Sequence, residues 1–269
     1  MSAVTVGIDA AGVAHVEMCR EKAGNAIDLA MARGLLDAAR TCERAGEGEG
    51  EHEGVRAVLL TGRGRSFCVG GDLREFAALP PDRLAAHLAA VTDALHAALR
   101  VFAGLDAPLV VAVQGAVAGA GLGLAAAADL TIAASDAAFT AAYTGIGYSP
   151  DAGVSWSLPR LVGPKRALDL LLTNRRVPAA EAAAMGLVSR VVDPGRLSGT
   201  AAEAASALAR GATGALGATR RLVAAGLSAG LDAHLDAEAR QLAACAVSAE
   251  GREGVSAFLA KRPPAYRAP

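Results

Sequence analysis

The sequence predicts an α/β fold that ends in a purely helical region. Three observations carry this. β-like runs alternate with helix-like runs through residue 195, whereas residues 198–262 are helical nearly throughout. Two glycine-rich turns, Ser66-Phe67-Cys68-Val69-Gly70-Gly71-Asp72-Leu73 and the run from Gln114 to Leu124, each follow an apolar β-like run and lead into a helix-like run. Hydrophobic residues make up 53% of the 269, enough for a sizeable core, and the length suits one large domain or a domain with a helical appendage. The division falls after residue 195, with a core over 1–195 and a helical region over 196–269.

The elements follow in order. Val4–Ile8 and Val13–Met18 read as strands joined by a turn ending at Gly12. A loop spans Lys22 to Asp28, and Asp28 is positioned to cap a helix over about 29–45. Glu43 to Glu53, rich in Glu and Gly, reads as a solvated loop. Val55–Thr61 is β-rich and ends at Gly62; the first special turn and a short helix through Ala77 come next. Residues 82–104 are helical in character, Leu109–Val113 is a buried strand, and the helix after the second turn runs to about Ala128. Leu130–Ala134 is a strand, residues 136–153 are loop-rich, and a helix over 154–162 stops at Gly163-Pro164. Helices Lys165–Leu172 and Ala179–Met185 and a strand Val188–Val192 complete the core. The helical region is interrupted around Gly211–Gly217 and near Gly251, and the Pro263-Pro264 tail is extended. No fixed-period repeat is legible.

Composition excludes several function classes. The formal net charge of −1 supplies no field for nucleic acid or an anionic membrane. Cys19, Cys42, Cys68 and Cys245 match neither a zinc site nor a redox pair, and they read as reduced thiols in a cytosolic protein. His15, His52, His87, His96 and His234 are scattered without metal-ligand spacing, so no metal is expected. The N-terminal residues lack the pattern of a secretory signal. The apolar stretch 109–134 is split by glycines, Gln114 and Asp129, and so reads as core rather than a membrane span. The Gly119–Gly123 run lacks both the GK[ST] ending of a phosphate loop and the acidic follower of a dinucleotide site.

The paired turns are the chemical signal. Two backbone N–H donors from separate turns, aimed at one oxygen, are what is needed to hold a developing thioester enolate. Each turn alone reads first as a tight structural turn, and it is the pair that favours the oxyanion reading. The pair occurs with Asn25-Ala26, Ile146-Gly147-Tyr148-Ser149-Pro150-Asp151-Ala152-Gly153, Leu158-Pro159-Arg160-Leu161-Val162-Gly163, Ala182–Val192 and Phe258-Leu259-Ala260-Lys261-Arg262. With these motifs the chain, from about Asn25 to Arg262, resembles the crotonase superfamily, the enoyl-CoA hydratase/isomerase family. The resemblance implies a spiral of ββα units over 1–195 that binds acyl-CoA, a helical oligomerisation region over 196–269, and homotrimers or hexamers. It also implies no cofactor beyond the coenzyme A of the substrate. By this likeness the oxyanion donors are the N–H groups of Gly71 and Ala120, each such donor being worth roughly 3–4 kcal/mol. Gly71 lacks a Cβ and permits close approach, and Ala120 opens a helix whose dipole adds to the donor.

Hydratases of this family use two glutamates around the reacting carbons. Here those positions hold Gly123 and Tyr143, which speaks against water addition by a carboxylate pair. The carboxylate left near the expected site is Asp151, in a loop similar to those of double-bond isomerases and aryl-CoA dehalogenases of the family. An apolar pocket would favour its protonated form and suit it to taking and returning a proton. Asp151 also fits an N-cap of the helix that follows. Tyr143 suits either a hydrogen bond to Asp151 or substrate, or ordinary packing, and the sequence sets no histidine beside this loop. Asp72 reads as a cap or brace of its turn. Lys22, Arg20 and Lys261 are candidates for the CoA phosphates, Ala23, Ala26, Gly71, Asp72 and Leu73 for the rest of the CoA path, and Phe258 for the adenine. Each basic residue taken alone reads first as a solvated surface charge, and Phe258 reads equally as a helix contact. Leu73, Phe76 and Ala77 are candidates for the acyl pocket. The expected reaction is the shift of a C=C bond in an enoyl-CoA. The alternatives are hydration or lyase chemistry, thioester hydrolysis, aryl-CoA dehalogenation, or a catalytically weak acyl-CoA-binding or assembly protein.

Overall fold

The computed structural model describes residues 2–46 and 54–266. Strands β1 (Val4–Ile8), β2 (Val13–Met18), β3 (Ala57–Gly62), β4 (Leu109–Val113), β6 (Leu130–Ala134) and β9 (Arg190–Val192) form the main sheet in the order β1-β2-β3-β4-β6-β9. β1 and β2 form an antiparallel pair, and every other neighbour is parallel. A second sheet holds β5 (Ala116–Ala118), β7 (Ala138–Thr140) and β8 (Val177–Pro178) in that order.

The chain winds between the two layers. β4 in the main sheet passes to β5 in the second and then to helix α4 (Ala120–Ala126); β6 passes likewise to β7 and, after a 3₁₀ turn over Thr144–Ile146, to α5 (Val154–Val162). The same step is present in reduced form earlier. After β3, Cys68 bridges Val117 of β5 before α2 (Leu73–Ala77), and after β2, Ile27 bridges Gly71 before α1 (Leu29–Gly46). The second layer therefore stacks Ile27, the 68–71 turn, β5 and β7 in chain order, which makes a spiral of ββα units.

The central strands are buried on both faces, so they read as unbroken apolar runs rather than alternating ones. One face (Val16, Met18, Val58, Leu60, Val111, Val113) packs into the core shared with α1 and α3 (Pro81–Gly104). The opposite face (Val13, Leu59, Val110, Ala112, Ile132, Ala134) meets α8 (Leu197–Ala209). Helix α8 presents Leu197, Ala201, Ala205 and Ala209 at four-residue spacing, and the three alanines let the helix lie close to the sheet. Helices α6 (Pro164–Thr173) and α7 (Ala179–Ala184) follow α5, and α9 (Thr213–Gly226), α10 (Leu231–Val247) and α11 (Ala249–Leu259) end the chain. Arg220 on α9 ties this region to the core by pairing with Asp129 and donating to the carbonyls of Phe102, Leu105 and Ala107. Among the described residues no helix is long and apolar enough to cross a membrane.

Several local expectations are corrected. Glu43 lies inside α1 rather than in a loop, while 47–53, including His52, lies outside the described residues. Helix α4 ends at Ala126 because the chain must straighten for β6. The short strands β5 and β7 were hidden, β5 between Gly115 and Gly119 and β7 inside a loop-rich stretch. A further helix break falls at 227–230, where Gly230 precedes α10.

Candidate active site

The two glycine turns are laid against each other by the second sheet. Cys68 N–H donates to Ala116 O at 3.2 Å, and Ala118 N–H donates to Cys68 O at 2.9 Å. Just beyond these bonds the turns touch backbone to backbone. Gly70 has φ 99°, and a Cβ there would lie 3.2 Å from Ala118 O and 3.5 Å from Gly119 Cα. Gly119 has φ 52° and ψ −122°, and a Cβ there would lie 3.3 Å from Gly70 Cα. The positive φ at both positions favours glycine, and the close approach of the two backbones leaves a side chain little room.

Gly71 and Ala120 each come one residue after this contact. Gly70 O accepts from Ile27 N–H at 2.8 Å and Asp72 N–H donates to Ile27 O at 3.0 Å, so Gly71 turns its own N–H away from Ile27. Ala120 is the first residue of α4, where the backbone N–H has no intrahelical acceptor. Among the described residues neither N–H has a protein acceptor. Both residues line one cavity of about 650 Å³, together with Tyr143 and Asp151. Leu84, Leu88, Val91 and Leu95 of α3 make its long apolar wall, and Leu73 and Phe76 of α2 add to it. Among the described lining residues Asp151 is the sole carboxylate.

Tyr143 Oη donates to Asp151 Oδ1 at 2.6 Å. Burial pushes the phenol well above the usual tyrosine range, and the adjoining Asp151 charge pushes it further. Tyr143 is thus a fixed, protonated donor. Asp151 does not cap the following helix: the N-cap of α5 is Gly153, which has no side-chain cap bond, and only the carbonyl of Asp151 accepts from Val154 N–H, at 3.0 Å. Its carboxylate is turned to Tyr143 instead.

The turn that carries Asp151 also accounts for Gly123. A Cβ on Gly123 would lie 2.6 Å from both the Cβ and the carbonyl oxygen of Ala152. The 151–152 turn fills the space that a glutamate at 123 would need. A histidine does reach this turn, contrary to the sequence reading: His96 Nε2 on α3 accepts from Ala152 N–H at 3.2 Å. Fifty-odd positions of chain separate the two, so spacing held no sign of it beyond the place of His96 one helical turn after cavity-lining Thr92.

The other candidates are distributed as follows. Asp72 caps α2 by accepting from Arg74 N–H and Glu75 N–H, and it pairs with Arg20 at 2.9 Å. Burial alone would raise the Asp72 pKa, but the Arg20 hydrogen bond and the two backbone donors hold it below the usual carboxylate value. Arg20 is spent on Asp72, Asp28 and Ala26 O, so it is a brace of the first loop and not a free phosphate ligand. Lys22 and Ala23 are exposed, and Ala26 is buried through this brace. Leu73 lines the cavity while half-exposed; Ala77, the last residue of α2, is exposed and is not part of the cavity lining. Phe258 and Lys261, at the end of α11, are exposed and stand outside the cavity lining. His15 pairs with Asp9 and His87 with Glu75, and no group of His, Cys, Asp and Glu among the described residues is arranged to hold a metal ion.

Comparison with known proteins gives the family. The family profile described as enoyl-CoA hydratase/isomerase matches residues 9–269. A Rhodobacter capsulatus protein named "Probable enoyl-CoA hydratase" is 40% identical over 256 residues, covering 95% of this chain and 94% of that one. The 1,2-epoxyphenylacetyl-CoA isomerase of Escherichia coli is 39% identical over 213 residues, covering 79% and 81%. A crystal structure of an enoyl-CoA hydratase from Polaromonas superposes with a TM-score of 0.88 at 30% identity, covering 98% of this chain and 99% of that one. With its ββα spiral and its two glycine turns meeting at one apolar cavity, the chain belongs to the enoyl-CoA hydratase/isomerase family, the crotonase superfamily.

Proposed function

We propose that this acyl-CoA enzyme shifts a C=C bond in an enoyl-CoA, with Asp151 as the acid/base. The observation that carries the reading is that, among the described residues, Asp151 is the sole carboxylate lining an apolar cavity shared with the N–H groups of Gly71 and Ala120, neither of which has a protein acceptor. Asp151 takes a proton from one carbon beside the conjugated system. Charge moves to the thioester oxygen, where the two N–H donors hold it, and Asp151 returns the proton at the other end of the system. Substrate and product have the same mass. Tyr143 holds Asp151 Oδ1 and leaves Oδ2 for the proton. The thioester acidifies the α-proton, so this reaction draws on no cofactor beyond substrate coenzyme A.

The pantetheine threads between the turns past Ala26, Gly71, Asp72 and Leu73, and Lys22 and Ala23 stand at the phosphate end. Phe258 reaches the adenine, and Lys261 the phosphates, of a CoA held by a neighbouring subunit in a homotrimer or hexamer. Val223, Leu231, Leu242, Val247 and Val255 on α9–α11 are all more than half exposed, an apolar face that suits such an assembly. Four unpaired cysteines fit a cytoplasmic setting.

The test is a panel of 2- and 3-enoyl-CoA thioesters incubated with the enzyme in D₂O and analysed by mass. The expected product is a positional isomer, with solvent deuterium only to the extent that the proton on Asp151 exchanges before its return, and Asp151→Asn lowers kcat by about 10²- to 10⁴-fold. Gain of water, or full activity in Asp151→Asn, overturns the reading; binding without turnover across the panel points to a binding protein. A second reading, attack of Asp151 on an aryl-CoA ring, draws on Phe76, Tyr143 and Tyr148 in the lining and on the nearby His96. Halide release from a 4-haloaryl-CoA separates it from the first.

A further inference from the structure

Asp151 sits on a turn whose backbone is sparsely allowed. Ala152 has φ 49° and Gly153 φ 71°, two consecutive left-handed residues, and α5 begins after them without a side-chain cap. Such a backbone persists in alanine only when its surroundings over-determine it. Two contacts do so here. On one side Gly123 leaves room for the fully buried Ala152. On the other, His96 Nε2 accepts from Ala152 N–H. An amide N–H can only donate, so Nε2 bears the lone pair and the imidazole is neutral with its proton on Nδ1. His96 is absent from the cavity lining, although Thr92 and Leu95 of the same helix belong to it.

We propose that His96 is a positioning residue: by accepting the Ala152 N–H it holds the left-handed turn in the form that aims the Asp151 carboxylate into the cavity. Its kinetic consequence rests on Asp151 being the acid/base; its structural consequence does not. His96 links α3, which forms the acyl wall, to the turn that carries the carboxylate, so both sides of the cavity are set by one helix.

The experiment compares His96→Leu, which cannot accept, with His96→Gln, whose amide oxygen can. Two readouts are taken on the full chain: hydrogen exchange of the Ala152 amide in ¹⁵N-labelled protein, and kcat and KM on whichever panel thioester turns over. His96→Leu is expected to speed Ala152 exchange and lower kcat by roughly 10- to 100-fold with KM nearly unchanged, the signature of a misplaced group rather than lost binding. His96→Gln is expected to restore both, and thermal melting of the two variants separates misfolding from misplacement. Unchanged Ala152 exchange in a folded His96→Leu overturns the proposal, as does a Gln variant that behaves like Leu in both readouts. Failure of Asp151 as the base is seen separately, as full turnover by Asp151→Asn, and leaves the exchange measurement to decide the tether.

Discussion

A phenol donating at 2.6 Å to a carboxylate, inside an otherwise apolar cavity, is a charge-assisted hydrogen bond with few competitors. Such a bond contributes about 1.5–3 kcal/mol. Tyr143→Phe is therefore expected to cut kcat by roughly 10- to 100-fold with little change in KM, read by steady-state kinetics. The raised Tyr143 pKa has a definite sign: the neutral donor persists to higher pH, so wild-type activity shows no loss from phenol ionisation as pH rises through about 10. A descending limb there that vanishes in Tyr143→Phe contradicts this. Gly123 makes the opposite kind of point, since its role is to be absent. Gly123→Ala pushes a Cβ against Ala152 backbone and is expected to cost about 1–3 kcal/mol by denaturant melting, together with most of the activity. A fully stable, fully active Gly123→Ala contradicts the steric account. Burial pushes the Cys42 and Cys68 thiols up to about 12. Iodoacetamide at pH 8, followed by peptide mass analysis, is expected to leave both unmodified until the chain unfolds.

At the scale of elements, the site is a product of the second, smaller sheet. Its strands are three residues or fewer, yet they set the register that brings Gly70 against Gly119. Gly119→Ala puts a side chain in a backbone region with φ 52° and ψ −122° that glycine almost alone adopts. It is expected to cost about 1–3 kcal/mol and to separate the two N–H donors, read as lower stability and reduced affinity for an enolate-mimicking acyl-CoA analogue. Elements with a strong local signature were legible: Leu109–Val113 and Val154–Val162 were bounded correctly from the apolar run before Gln114 and from the Gly163-Pro164 stop. β5 and β7 were not, because Ala116–Ala118 and Ala138–Thr140 are too short to show a period, and what makes them strands is the neighbour each pairs with.

At the scale of the molecule, pH acts through the brace that joins the first loop to the first turn. Asp72 has a folded pKa below its ordinary 3.8, so its ionised form stabilises the fold above that value. This stability is lost as pH falls through the folded pKa. Asp72→Asn keeps a capping side chain but not the charge, so its deficit against wild type is expected to be largest near neutrality and to vanish below the folded pKa. A deficit that is constant with pH, measured by urea melting, contradicts this. The sequence by itself determined the α/β class, the C-terminal helices, the two glycine turns and the missing glutamate pair, because each is a matter of local residue type and order. Even the spiral could be reached only through likeness: the ββα units are unequal, α3 being inserted between β3 and β4, so no repeat could be seen. The tertiary structure alone decided that Asp151 faces Tyr143 rather than capping a helix, that Arg20 is consumed by Asp72, and that His96 lies beside Ala152. These are contacts between residues that no local propensity relates, and they exist only once two sheets and a long helix have been packed around the same cavity.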